Sequence, residues 1–338
     1  MRILLVTDAW HPQVNGVVRT LTHTVNELQK MGHTVRTVTP NEFPNIACPT
    51  YEEIRLVYRA TDRLDCVMDE FAPDAVHIAT EGPLGMRARR LCRSRGWTFT
   101  TAYHTRFPEY LQSKLSIPSE LTYQAERLFH RRSSGIMVST PSIQKELEQR
   151  GFQNLRQWSR GVDIDIFRPG DKSFLDLPRP ILLNVGRVSI EKNLAAFLML
   201  DFPGTKIVVG DGPQRQELQQ RFPETHFVGI KHGEELRRFY AAADAFVFPS
   251  RTDTFGVVML EALACGLPVA AYPVTGPIDV IGYHGVGSLN DDLATAVVNA
   301  LSISPKDCRE FAMTKSWRES TRQFLSNLRP FTAHFGAA

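Results

Sequence analysis

The sequence has few cysteines and arranges them in no pattern: Cys48, Cys66, Cys92, Cys265 and Cys308 are odd in number, widely scattered, and include no C-x-x-C pair. That excludes a disulfide framework and a cysteine zinc site, and it suits a reducing compartment. No apolar run approaches the roughly 20 residues that span a bilayer. The short run over residues 1–6 is ended by Thr7 and Asp8 before a signal-peptide core can form. The expectation is a cytoplasmic protein, at most peripheral on the inner membrane face. Excess charge is also scarce, +3 from 39 basic and 36 acidic residues, which argues against nucleic acid as a partner because that demands a strongly basic surface. No complete G-x-G-x-x-G follows the first strand-like run, and Gly210-x-Gly212 lacks the third glycine. A nicotinamide dehydrogenase is thereby set aside.

What is present is an α/β rhythm. A chain of 338 residues exceeds what one core usually organises, so two domains of roughly 150 residues each are expected. Its 43% hydrophobic and 22% charged residues are those of a globular protein. Short β-branched runs alternate with helical patterns, the signature of parallel sheets crossed by helices. Strands are expected at 2–7, 34–39, 74–79, 98–103 and 135–139, then at 180–185, 205–209, 245–248 and 267–271. Between the first two lies an amphipathic helix with Val17, Val18, Leu21, Val25 and Leu28 on one face and Gly32 closing it. The stretch 161–180 is rich in Asp, Pro and Gly and weakly periodic, so the linker is placed there. The expected division is 1–168, 169–304, and a helical tail 305–338, helical over 305–328, that packs back toward the first domain.

In open parallel sheets ligands bind beyond the carboxyl ends of the strands, where helix N-termini present unpaired N–H groups. The strongest motif, Pro249-Ser250-Arg251-Thr252-Asp253-Thr254-Phe255-Gly256 running into a helix through Glu261, leaves such a strand. Asp253 in the loop and Glu261 in the helix are able to address one polyhydroxylated ligand. Gly256 permits close backbone approach, and the helix start favours a phosphate. Upstream, Asn184 to Asn193 also passes from strand to helix and supplies Arg187 and Lys192, the cations that a diphosphate leaving group needs where no metal neutralises it. Asp8 to Val17 joins the first strand to the first helix with Gly16 at the helix start, and His104 follows the strand at 98–103. Gly210-Asp211-Gly212-Pro213 and His226-Phe227-Val228-Gly229 are weaker signals, equally readable as plain turns.

These strings together resemble the GT-B glycosyltransferases of family 4 (glycosyl transferases group 1), bacterial mannosyltransferase and glycolipid-synthesising members among them. The string from Asp253 to Glu261 resembles the family's carboxylate-x7-Glu signature, with Asp253 where members usually carry Glu. The resemblance implies two Rossmann-like domains facing a central cleft and a hexosyl unit passed from a UDP- or GDP-linked sugar to an acceptor hydroxyl with retained configuration. It implies that Arg187 and Lys192 stabilise the departing nucleotide and that Glu261 holds the donor ribose. Asp253, the Thr254-Phe255-Gly256 backbone and His104 would address the transferred sugar. Gly16 would approach donor phosphate or acceptor, and Gly210, Gly212 and Val228 would lie in segments that seat the nucleobase. Residues 160–163 resemble the family's interdomain signature. Asp163-Ile164-Asp165 superficially resembles the metal-binding Asp-x-Asp of the other glycosyltransferase fold, but its interdomain context makes it a false match, and no metal or other cofactor is expected.

The acceptor side carries a basic stretch, Arg87, Arg89, Arg90, Arg93, Arg95, Arg106, Lys114, Arg127, Arg131 and Arg132. It reads equally as a solvated surface or as a face for anionic lipid, and the expected acceptor is a membrane lipid or glycan precursor. The alternatives are a sugar-nucleotide epimerase of the same fold and a non-catalytic sugar-nucleotide-binding protein.

Overall fold

The computed structural model describes residues 1–13, 15–48, 51–58, 61–104, 108, 118–253, 255–282 and 284–331. Among these, no helix is long and apolar enough to cross a membrane. The chain forms two compact units, 1–159 with 320–338, and 160–319.

In the first unit the elements run β1 (Arg2–Val6), α1 (Gly16–Lys30), β2 (Thr34–Val38), β3 (Asn45–Cys48), β4 (Tyr51–Val57), α2 (Thr61–Phe71), β5 (Ala75–Ile78), α3 (Pro83–Ser94), β6 (Phe99–Tyr103), α4 (Ser119–His130), β7 (Gly135–Val138), α5 (Pro141–Gln149) and β8 (Leu155–Gln157). Six strands make one parallel sheet in the order β2-β1-β5-β6-β7-β8, while β3 and β4 pair antiparallel outside it. Successive side chains of β1 alternate between two cores. Ile3 and Leu5 join Leu21 and Leu28 of α1 on one face, and Leu4 and Val6 join Leu64 and Met68 of α2 on the other. Such two-sided burial is why β1 is a continuous apolar run. Gly32 does close α1, at φ 83°.

The second unit repeats the plan: β9 (Ile181–Val185), α6 (Leu194–Leu198), β10 (Thr205–Val209), α7 (Arg215–Arg221), β11 (His226–Gly229), α8 (Gly233–Ala242), β12 (Ala245–Phe248), α9 (Val257–Ala264), β13 (Val269–Ala271), α10 (Thr275–Val280), β14 (Gly287–Leu289), α11 (Leu293–Ala300) and α12 (Pro305–Met313), after which α13 (Trp317–Asn327) begins in this unit and ends in the first. Its parallel sheet has the order β11-β10-β9-β12-β13-β14. Phe246 and Phe248 of β12 face one core, Ala245 and Val247 the other.

Four sequence expectations need correction. The units part at Ser159/Arg160, not at 168/169. The stretch 161–180 belongs to the second unit because Val162 and Phe167 are buried in its core with Ile164, Leu175 and Leu177 packed on it. The helix expected over 305–328 is two, because residues 314–316 turn out of it and Ser316 bridges in parallel to Val162. Of the expected tail, 305–319 stays in the second unit, and the chain returns to the first from Ser320, where Phe324 and Leu328 are buried beside Trp158.

Candidate functional site

The second unit's strand order reverses between β9 and β12, and the crevice beyond their carboxyl ends is the topological switch point at which α/β sheets bind ligands. Two predicted strings leave the sheet there, 186–193 after β9 and 249–256 after β12. Polar contacts stitch them together. Asn193, in the left-handed conformation at φ 53°, donates its amide to the Pro249 carbonyl at 3.1 Å. The hydroxyls of Ser250 and Thr252 donate to the Glu191 carbonyl at 3.3 and 3.4 Å. Ser189 donates to the Glu191 carboxylate at 2.6 Å, which holds that carboxyl below its usual range, helped by the fields of Arg187 and Lys192. Across the seam, Lys192 Nζ lies 2.6 and 2.8 Å from the two Asp253 carboxylate oxygens. Arg187 is exposed on the same loop. Of the predicted cations and acids, the structure thus brings Lys192 and Asp253 into direct contact.

Gly210 and Gly212 sit where loop backbones stack. A Cβ on Gly210 would lie 1.9 Å from the Gly186 carbonyl oxygen, and one on Gly212 would lie 2.4 Å from that of Val188. The Val188 N–H donates to the Asp211 carbonyl at 2.9 Å. These glycines therefore let the loop after β10 lie on the Arg187 loop. Val228, in β11, is half-buried against the second unit's core.

Around Asp253, Thr254 lies outside the described residues. Phe255 packs half-buried on the core, and Gly256 caps α9 from the left-handed region at φ 78° with no side chain to offer its amides. Glu261 is the surprise: it is only 2% exposed, and Tyr240 of α8 donates its hydroxyl to it at 3.1 Å. Gly276, which sequence reasoning missed, presses on this loop, since its Cβ would stand 2.5 Å from the Asp253 carbonyl oxygen. Asp163 accepts from the Asp165 and Ile166 amides at 3.1 and 3.0 Å, a local turn that uses one oxygen of the Asp-x-Asp string.

The first unit's switch point, between β1 and β5, is built differently. Gly16 opens α1 with nothing within 4 Å of an added Cβ, and Asn15 accepts from the amides of both Val17 and Val18 at 3.0 Å. Asp8 is nearly buried and accepts from the Leu84 and Gly85 amides at 2.8 and 3.1 Å and from the Thr80 hydroxyl at 2.9 Å. Burial pushes its carboxyl up against the opposing pull of those bonds. Both helix starts at this crevice are thus filled by the chain's own oxygens, whereas α9 has a glycine, Gly256, as its cap residue. His104 is half-buried after β6 with its ring edge-on to Trp158 at 5.5 Å. Behind it His130 is fully buried, in contact with Thr101 at 2.9 Å and Glu81 at 3.3 Å.

The basic stretch divides. Arg89 is buried and donates to the Phe129 and Leu128 carbonyls at the end of α4. Arg95 is paired with Asp65 and Asp69 at 2.6 and 2.8 Å, so both serve the fold. Arg90, Arg93, Arg127, Arg131 and Arg132 are exposed, while Arg106 and Lys114 lie outside the described residues. Among the exposed arginines stand Leu121 and Leu128, 58% and 61% exposed. They border a cavity of about 560 Å³ together with Arg127, Arg131 and Phe152. None of the predicted site residues lines it.

Paired doubly wound units with a cation-bearing loop at a switch point define the GT-B class of glycosyltransferase. A sucrose-phosphate synthase from Thermosynechococcus elongatus shares this fold, with a TM-score of 0.72 and 23% identity over 96% of this chain and 97% of that one. Within that class the chain belongs to glycosyltransferase family 4: the Glycosyltransferase Family 4 model matches residues 14–166 and the Glycosyl transferases group 1 model matches residues 179–307. Its relatives include a GDP-mannose-dependent alpha-mannosyltransferase of Mycobacterium tuberculosis (strain CDC 1551 / Oshkosh), 29% identical over 86% of this chain and 83% of that protein. An alpha-monoglucosyldiacylglycerol synthase of Streptococcus pneumoniae (strain ATCC BAA-255 / R6) is 26% identical over 94% of this chain and 82% of that protein. The chain is accordingly a glycosyltransferase, and the epimerase alternative receives no support from these comparisons.

Proposed function

We propose that the protein transfers a hexosyl unit from a UDP- or GDP-linked sugar to a hydroxyl of a membrane lipid or glycan precursor, with retained configuration and without a metal ion. One observation carries this reading: Arg187 and Lys192 stand on the loop at the second unit's switch point, beside a helix start whose cap residue is the glycine Gly256. Fixed cations and a glycine-capped helix start suit a diphosphate, whose charge grows as the sugar departs. The first unit's capped helix starts suit a hydroxyl-bearing group better than a phosphate.

In this mechanism the acceptor hydroxyl attacks the anomeric carbon from the face that the nucleotide leaves. The leaving phosphate oxygen takes the hydroxyl proton, and Lys192 and Arg187 hold the charge left on the diphosphate. Glu261 is the ribose contact, and Asp253 with the Phe255-Gly256 backbone and His104 addresses the sugar. Gly210, Gly212 and Val228 serve the base by seating the loops around it. Exposed Leu121 and Leu128 among Arg127, Arg131 and Arg132 support a peripheral contact with an anionic membrane, where each basic residue contributes about 1 kcal/mol. A relative named as a diacylglycerol-glycoside synthase supports a lipid acceptor.

Lys192→Ala tests the reading. The expected loss in kcat is about 100- to 1000-fold, the scale of one preorganised donor to a developing anion, with the protein still folded. Near-normal turnover refutes the assignment. EDTA in the same assay should leave the wild-type rate intact, and a loss restored by manganese refutes metal independence.

A further inference from the structure

We infer that Asp253 is a counter-anion that the diphosphate must displace: the carboxylate paired with Lys192 surrenders it when the diphosphate binds, so that Asp253 and the nucleotide compete for one ammonium group. The inference rests on Lys192 being the cation that receives phosphate.

Three observations carry it. First, both carboxylate oxygens of Asp253 lie at hydrogen-bond distance from Nζ, 2.6 and 2.8 Å. An ammonium group has three donors, and this carboxylate addresses it with both oxygens. Second, the Lys192 and Asp253 side chains are 29% and 22% exposed. The pair is reachable by a solute yet drier than a surface ion pair, so the attraction that a ligand must replace is more than the near-zero median of exposed pairs. Third, the two loops are fixed to one another through Asn193–Pro249, Ser250–Glu191 and Thr252–Glu191. With the backbones stitched, the lysine is released by side-chain rotation and not by separation of the loops.

The exchange has consequences in both directions. When a diphosphate takes Lys192, the Asp253 carboxylate is left with free acceptor oxygens in the same crevice and is available to sugar hydroxyls. Nucleotide arrival thereby arms sugar recognition. After transfer, a free nucleoside diphosphate faces the carboxylate's repulsion and its claim on the lysine, and both favour departure. Asp253 thus acts on product release through Lys192, besides any contact with the sugar.

The experiment is titration calorimetry of UDP and GDP onto the full-length protein as wild type, Asp253→Asn, Lys192→Ala and the double variant, with thermal melts confirming folding. Asp253→Ser is the replacement if Asp253→Asn fails to fold. Asp253→Asn should bind the preferred nucleoside diphosphate about tenfold more tightly than wild type, the scale of a half-buried ion pair, while its kcat falls. In the Lys192→Ala background the same substitution should give at most a small part of that gain, because the competed group is gone. Unchanged or weaker binding by Asp253→Asn overturns the inference, and so does a full gain that persists without Lys192. Wild-type affinity in Lys192→Ala is a different failure: it removes Lys192 from phosphate binding and takes the proposed donor site with it.

Discussion

His77 is fully buried in β5, within 2.9 Å of the Thr100 hydroxyl and edge-on to Phe324 and Trp158. Burial holds its imidazole at about 3. The folded unit refuses a proton that the unfolded chain accepts, so stability rises with pH across this window. The contribution is complete above the unfolded value near 6.5 and is lost as pH falls from there toward 3, by up to about 1.4 kcal/mol per pH unit. Denaturant unfolding followed by tryptophan fluorescence between pH 5 and 7.5 should show this slope in the wild type and a flatter one in His77→Leu; parallel slopes would exclude His77 as the source. Arg187, Lys192 and Asp253 were legible as site candidates because each lies in a short string with its own spacing. Asp8, Tyr240 and Gly276 were not singled out, since each acquires meaning from a distant partner: Asp8 meets Thr80 across 72 residues, and Tyr240 meets Glu261 across 21. No local pattern announces such pairs. Glu261, expected to face a ligand, accepts a hydrogen bond from a tyrosine that the sequence left unmarked.

At the level of elements, the parallel strands with two buried faces were readable as apolar runs, and α1 as a stripe with a closing glycine. Strands β8, β11 and β14 escaped because, unlike the equally short β12 and β13, they contain no fully buried residue, so no apolar run marks them. The hairpin of β3 and β4 lies outside both large sheets and escaped the alternation of strand and helix. The break between α12 and α13 is set by contact, since the Val162 N–H donates to the Lys315 carbonyl at 2.9 Å. Helix α4 carries the prediction proper to this scale. Its exposed Leu121 and Leu128 flank Arg127, with Arg131 and Arg132 just beyond. If this face docks on anionic lipid, the protein should float with vesicles containing phosphatidylglycerol and sediment with neutral ones. Arg127→Glu with Arg131→Glu should abolish flotation at normal nucleotide binding. Equal recovery with both vesicle types, or flotation that survives the charge reversals, would dismiss the electrostatic contact.

At the level of the whole molecule, the two-unit α/β plan was legible from length and alternation together, yet the boundary was not. Residues 161–180 look like a linker by composition and become core only through Val162 and Phe167. The return of the chain at Ser320 makes the first unit discontinuous in sequence. Phe324 is its test: truncation to Ala removes a fully buried ring and should cost about 3–5 kcal/mol. The melt of the first unit should move down while nucleoside diphosphate binding by the second persists. Loss of both together would mean that the units do not fold separately. Because residues 320–331 pack with residues 1–159, the whole of 160–319 leaves the ribosome before the strand-bearing first unit receives Phe324 and Leu328. A polypeptide stopped before Phe324 would therefore leave Trp158 and its buried neighbours uncovered to chaperones and proteases, while residues 160–319 had already left the ribosome.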